Sequence, residues 1–197
     1  MAQLINQLEN APSSVELLKK ELFSRKDFFV KNGFILTDES AERMAKLIQC
    51  IKNKIPVLLE GPTGTSKTRT TLIASKYIQN YYSKSEEDNL LRFNLSQETK
   101  IDYLISKYVG DQNSFAKIKI EDGPFLKAYR DGKILLLDEM NLAQPPVLQS
   151  IQQALDNKMF SSEITGKGLV NIKMNKNCAL VGTQNPNIGA FAGMRKD

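Results

Sequence analysis

One short stretch near residue 60 constrains this chain more than any other. Ile55 to Glu60 is an apolar run that ends at a glycine. Gly61-Pro62-Thr63-Gly64-Thr65-Ser66-Lys67-Thr68 follows, and Leu72, Ile73, Tyr77, Ile78 and Tyr81 then recur at helical spacing. The octapeptide fits G-x-x-x-x-G-K-S/T at every position but one, with Ser66 standing where the pattern has glycine. A strand that feeds a helix through such a loop turns successive backbone N–H groups and the positive end of a helix dipole toward one point, a geometry suited to phosphate. Gly61, Pro62, Thr63, Gly64, Thr65, Ser66, Lys67, Thr68 and Arg69 are the candidate ligand-binding residues. Lys67 brings a mobile charge for the terminal phosphates, and the Thr68 hydroxyl is a candidate Mg²⁺ ligand.

Two later strand ends belong with that loop. Ile134-Leu135-Leu136-Leu137 is an unbroken apolar run, as expected of a central strand, and it ends in Asp138-Glu139. At a strand tip Asp138 can hold water on Mg²⁺, and Glu139 can polarise an attacking water as general base. Ala179 to Thr183 reads as another strand, stopped by Asn185-Pro186, and a neutral polar side chain of Thr183-Gln184-Asn185-Pro186 can bond a γ-phosphate or orient the water. Ligands bind at the carboxyl edge of parallel sheets, the edge at which all three segments end.

The remaining pattern alternates helices with strands, which predicts an α/β fold with a parallel sheet. Residues 1 to about 30 read as a separate helix, with Ser13 and Glu16 in a capping-box pattern. Thr37 and Asp38 precede a helix carrying Ala41, Met44, Ala45, Ile48 and Ile51. Leu90 to Leu95 is a second strand, Thr99 to Lys107 a short helix, Asp111 to Asp122 an exposed segment, and Gly123-Pro124 the start of another helix. Pro145 and Pro146 open a helix, and 158 to 173 form a hairpin turning at Thr165 to Gly168.

Composition narrows the chemistry further. The 197 residues include no histidine, which removes His-based triads, His-ligated zinc and imidazole acid–base catalysis. Cys50 and Cys178 stand in no metal-ligand spacing and read as buried thiols in a reducing compartment. Lys and Glu are mixed along the helices, so the net charge of +5 reads as a solvated surface rather than a nucleic-acid stripe. No membrane span or signal-peptide pattern is present, which suggests an intracellular protein.

The motifs in this order resemble the AAA+ ATPases, and within them the dynein-related and MoxR-like branch with its midasin-type modules. The similarity lies in Val57 to Gly64, Asn94-Leu95-Ser96-Gln97, Gly123-Pro124-Phe125-Leu126, Leu137 to Ala143, and Gly182 to Asn187, and runs from about Thr37 to Lys196. The resemblance implies a P-loop NTPase three-layer sandwich, an AAA+ large subdomain with a five-stranded parallel core and a β-hairpin insertion at 158 to 173. Residues 1–36 would be an N-terminal helical extension and 37–197 the nucleotide-binding subdomain, with the lid, arginine finger and sensor 2 falling later in the family than Asp197. It further implies ATP or ADP with Mg²⁺, Lys67 and Thr68 as the Walker A pair, Asp138 and Glu139 as the Walker B pair, and Asn185 as sensor. Neighbouring AAA+ modules in a ring, a protein or ribonucleoprotein client, and action in the nucleus or cytoplasm are expected on the same basis. Hydrolysis by the isolated piece is expected to be very slow. Two rival readings remain: a nucleotide-binding structural module without hydrolysis, favoured by Ser66, and a nucleic-acid-associated motor, suggested by the positive charge.

Overall fold

The computed structural model describes residues 12–83, 89–110, 118–164 and 168–186. Its centre is a four-stranded parallel sheet built from β1 (Val57–Glu60), β2 (Leu90–Asn94), β5 (Ile134–Asp138) and β8 (Ala179–Gln184), in the order β1-β8-β5-β2. The two apolar strands lie inside, and their alternation makes the two faces. Ile134, Leu136, Ala179 and Val181 point to one side, and Leu135, Leu137 and Leu180 to the other. Four strands, rather than five, form the sheet among the described residues, and β1 is one of its edges.

Helices cover both faces, giving three layers. On one side lie α1 (Pro12–Ser24), α2 (Lys26–Lys31), α3 (Asp38–Lys52) and α4 (Lys67–Tyr82), which bury Leu22, Phe29, Met44, Ile48 and Tyr77 against the sheet. On the other lie α5 (Ile101–Ile105), α6 (Pro124–Asp131) and α7 (Pro145–Asn157), with Leu104, Phe125, Tyr129 and Ile151 in the core. Thr37 caps α3 as its sequence predicts: its hydroxyl accepts from the Ser40 N–H at 3.2 Å, and the Ser40 hydroxyl accepts from the Thr37 N–H at 2.7 Å. The N-terminal segment is two helices broken at Arg25 rather than one. The capping box expected at Ser13 rests on a side chain outside the described ones.

Two antiparallel hairpins project from this framework. The expected one pairs β6 (Met159–Ile164) with β7 (Gly168–Lys173), and its turn, 165–167, lies outside the described residues. The other pairs β3 (Ser106–Gly110) with β4 (Ile118–Asp122), where the sequence suggests helix to Lys107 and then an exposed segment. Lys107-Tyr108-Val109 carries β-branched and aromatic residues that continue as strand once α5 ends at Ile105. Among the described residues, no helix is long and apolar enough to cross a membrane. Cys178 is buried, whereas Cys50 is only half-buried, on the α3 flank.

Candidate nucleotide site

Four segments converge at the carboxyl edge of the sheet: the loop after β1, the end of β2, the end of β5 and the end of β8. Together they line a cleft of about 340 Å³ that includes Thr63, Gly64, Ser66, Lys67, Thr68 and Arg69 from the loop and α4, with Asp138, Glu139 and Asn185. The parallel registers Leu59↔Thr183, Asn94↔Asp138 and Leu137↔Gly182 bring these strand ends level with one another.

The loop has the left-handed turns that a phosphate cradle requires. Gly64 has φ +84, which glycine adopts without cost. Ser66, immediately before α4, has φ +61 and ψ 24, and its side chain makes no capping hydrogen bond. The glycine of the motif is thus wanted here for its backbone conformation as well as for close approach, and a non-glycine residue in this region costs roughly 1–2 kcal/mol. Lys67 curls back over the loop: its ammonium donates to the carbonyls of Gly61 at 2.6 Å and Pro62 at 2.9 Å, and to Asn185 Oδ1 at 2.9 Å. Residues 118 positions apart in sequence, the loop lysine and the polar residue after β8, are thereby in contact.

Asp138 is the hub. It is buried, and its Oδ1 accepts from the Thr68 hydroxyl at 2.8 Å and from the Thr183 hydroxyl at 2.7 Å. Arg92 Nε donates to its Oδ2 at 2.7 Å. The Thr183 hydroxyl also accepts from the Glu139 N–H at 3.2 Å, so one hydroxyl ties both acidic residues to β8. Glu139 itself has φ +58, a left-handed non-glycine conformation that starts a 3₁₀ turn over Met140–Leu142 and aims the chain out of the sheet. Such strained conformations gather at functional sites. Gly182 permits this turn to lie close, because a Cβ there would collide with the Met140 side chain.

Arg69, a candidate ligand-binding residue, lines the cleft but spends one guanidinium nitrogen elsewhere. Its Nη2 donates to the carbonyls of Asn32 at 2.9 Å and Gly33 at 3.1 Å. This fastens the segment ahead of α3 to the loop helix and borders a second cleft of about 460 Å³, lined by Phe34, Ile35, Arg43, Gly64 and Ser66 among others. Ile35 is 82% exposed at its mouth. Arg92 and Thr183 also line the cleft and contact Asp138, and neither is among the candidate site residues named from the sequence. An arginine within the strand candidate Leu90–Leu95 is the signal for the first, and the hydroxyl of Thr183 in the last strand motif for the second.

The oxygen set fits Mg²⁺ with a triphosphate. A hydroxyl and a carboxylate meet beside the N-terminus of a 16-residue helix, which is the arrangement of a cation that shares its ligands with phosphates and water rather than taking an all-protein cage. No cluster of three or more His, Cys, Asp or Glu residues able to hold a metal occurs among the described residues.

Known proteins show the same kinship. The profile of the AAA domain (dynein-related subfamily) matches residues 56–193. Midasin of Giardia intestinalis is 32% identical over 152 residues, 76% of this chain and 3% of that protein. Midasin of Dictyostelium discoideum is 26% identical over 169 residues, 84% of this chain and 3% of that protein. "Uncharacterized protein YojN" of Bacillus subtilis (strain 168) is 32% identical over 112 residues, 56% of this chain and 34% of that protein. The chain therefore spans a small part of the midasins and about a third of YojN. The crystal structure of a "putative ATPase" from Cytophaga hutchinsonii superposes with a TM-score of 0.58 at 17% identity, covering 92% of this chain and 48% of that one, which establishes the shared fold. With the profile covering most of the chain, this chain belongs to the dynein-related subfamily of AAA domains, as a module related to midasin.

Proposed function

We propose that the cleft binds ATP or ADP with Mg²⁺, and that the protein hydrolyses ATP as one module of a ring that remodels protein or ribonucleoprotein complexes. The observation that carries this reading is the 2.8 Å hydrogen bond from Thr68 to Asp138, which joins the phosphate loop to the acidic strand end. In this account residues 37–197 form the nucleotide-binding subdomain and residues 1–36 an extension whose Gly33, Phe34 and Ile35 wall the second cleft, where the nucleoside lies. The amides of Gly61 to Thr68 and the dipole of α4 hold the phosphates, and Lys67 exchanges its carbonyl partners for the β- and γ-phosphate oxygens. Thr68 and Asp138 would hold Mg²⁺, directly and through water, and the ion would neutralise charge on the phosphate oxygens. Glu139 takes a proton from the attacking water, and Asn185, already bonded to Lys67, orients the γ-phosphate end.

One observation favours a second reading. The left-handed Ser66 strains the loop where the motif has glycine, which suits a module that holds nucleotide as a structural ligand without turning it over. Glu139→Gln separates the two. If Glu139 is a base, the variant should keep nucleotide affinity within about threefold and lose at least about a hundredfold of the turnover of the assembled protein. Equal turnover in both proteins removes Glu139 from the chemistry, and with it the hydrolytic reading of this site.

A further inference from the structure

Asp138 has more partners than a magnesium site calls for. Two hydroxyls, from Thr68 and Thr183, already engage Oδ1, so Oδ2 is the oxygen left to face a cation. That oxygen is held by Arg92 Nε at 2.7 Å. The carboxylate is 3% exposed and the arginine 52% exposed, so Arg92 reaches the buried charge from the solvent side, through the cleft it shares with Lys67, Thr68 and Glu139. The sheet fixes this approach: Arg92 lies in register with Leu136, on the strand beside Asp138. On the edge strand β2 the exposed Arg92 charge contributes little to the core, whereas a buried carboxylate without a cation is costly.

We infer that Arg92 is a positioning residue that serves as the resident counter-cation of Asp138 and competes there with the divalent ion, and so sets how strongly Mg²⁺ strengthens nucleotide binding. This rests on the nucleotide reading proposed above. Without a cation the pair holds Asp138 aimed at Thr68. When a divalent ion arrives, its charge and that of the guanidinium repel across the shared carboxylate. Even at the dielectric constant of water, a unit charge acting on a divalent ion over about 6 Å alters affinity about tenfold.

The test is calorimetric titration of ADP into the wild type, Arg92→Gln and Arg92→Lys, each with Mg²⁺ and with a chelator. The quantity read is the ratio of the two dissociation constants. Arg92→Gln should raise the factor by which Mg²⁺ tightens ADP binding by about tenfold, and Arg92→Lys, which keeps the charge, should leave it within about twofold of wild type. A merely structural role would weaken both affinities and leave the ratio unchanged, and that result overturns the inference. If the wild type binds no ADP under either condition, the nucleotide reading fails instead. The pairing is then read by a double-mutant cycle of Arg92→Gln with Asp138→Asn on thermal unfolding, where a coupling of zero also overturns the inference.

Discussion

Replacing Ser66 by glycine should stabilise the protein, against the usual cost of adding glycine. Ser66 sits at φ +61 and ψ 24, and its hydroxyl makes no capping hydrogen bond to offset that conformation. Relief of left-handed strain is worth roughly 1–2 kcal/mol. Glycine also gives the unfolded chain more freedom, which takes back about 0.4–1 kcal/mol. The net expectation is a gain of about 0.5–1 kcal/mol, or about 1–4 °C in Tm for a chain of this size. Ser66→Ala is the control, since it removes the hydroxyl but keeps the Cβ, and its stability should match wild type to within about 0.5 kcal/mol. Differential scanning calorimetry of the three proteins reads both effects. The same substitution should tighten ADP·Mg²⁺ binding, because the loop amides then close on phosphate with no side chain on residue 66. A glycine variant that melts at or below wild type would show that the loop carries no such strain, and the explanation of Ser66 as a weakened phosphate loop would go with it.

Other expectations follow from single contacts. Thr183→Val removes a hydroxyl that donates to buried Asp138 and accepts from the Glu139 N–H, and should cost about 1–3 kcal/mol in thermal unfolding, with Thr183→Ser recovering most of it. Gly33 has φ +65, and a Cβ there would come within 2.8 Å of Arg69 Nη2, so Gly33→Ala should lower stability by at least about 1 kcal/mol; an unchanged Tm would mean that the Arg69 contact is dispensable. Burial pushes the Cys178 thiol up to about 11, so a thiol reagent at pH 8 should modify half-buried Cys50 first and Cys178 only on unfolding. Because the folded pKa is raised, the stability it contributes is complete below the ordinary thiol pKa near 9.0 and is lost as pH rises through about 11. A Cys178→Ala protein should show a shallower fall in Tm over that window.

The parts of the fold that follow local rules were legible in the sequence. The apolar strand Ile134–Leu137, the loop from Gly61, the Thr37 cap and the strands of the 158–173 hairpin each carry a local pattern that the fold follows. The hairpin of β3 and β4 was not, because its first strand follows α5 without punctuation. The site shows the same division. The strand-end motifs named Lys67, Thr68, Asp138, Glu139 and Asn185, and the fold brings all five to one cleft. Arg92 stayed hidden because its meaning depends on β2 lying beside β5, a long-range pairing that no spacing along the chain reveals. Thr183 was visible only as part of a turn motif, since its double role requires Asp138 and Glu139 to lie across from it. The left-handed backbone at Ser66 and Glu139 was likewise a property of geometry rather than of residue type.

The most direct test of the central claim is a calorimetric titration of ATP and ADP with Mg²⁺ into the purified chain, beside Lys67→Ala. Saturable one-site binding in the wild type, lost in the variant, is the result expected of a nucleotide site built on the Gly61 loop. Binding of equal strength in both proteins would place the nucleotide elsewhere. No binding in either would contradict the account and leave the cleft as a feature of the fold alone.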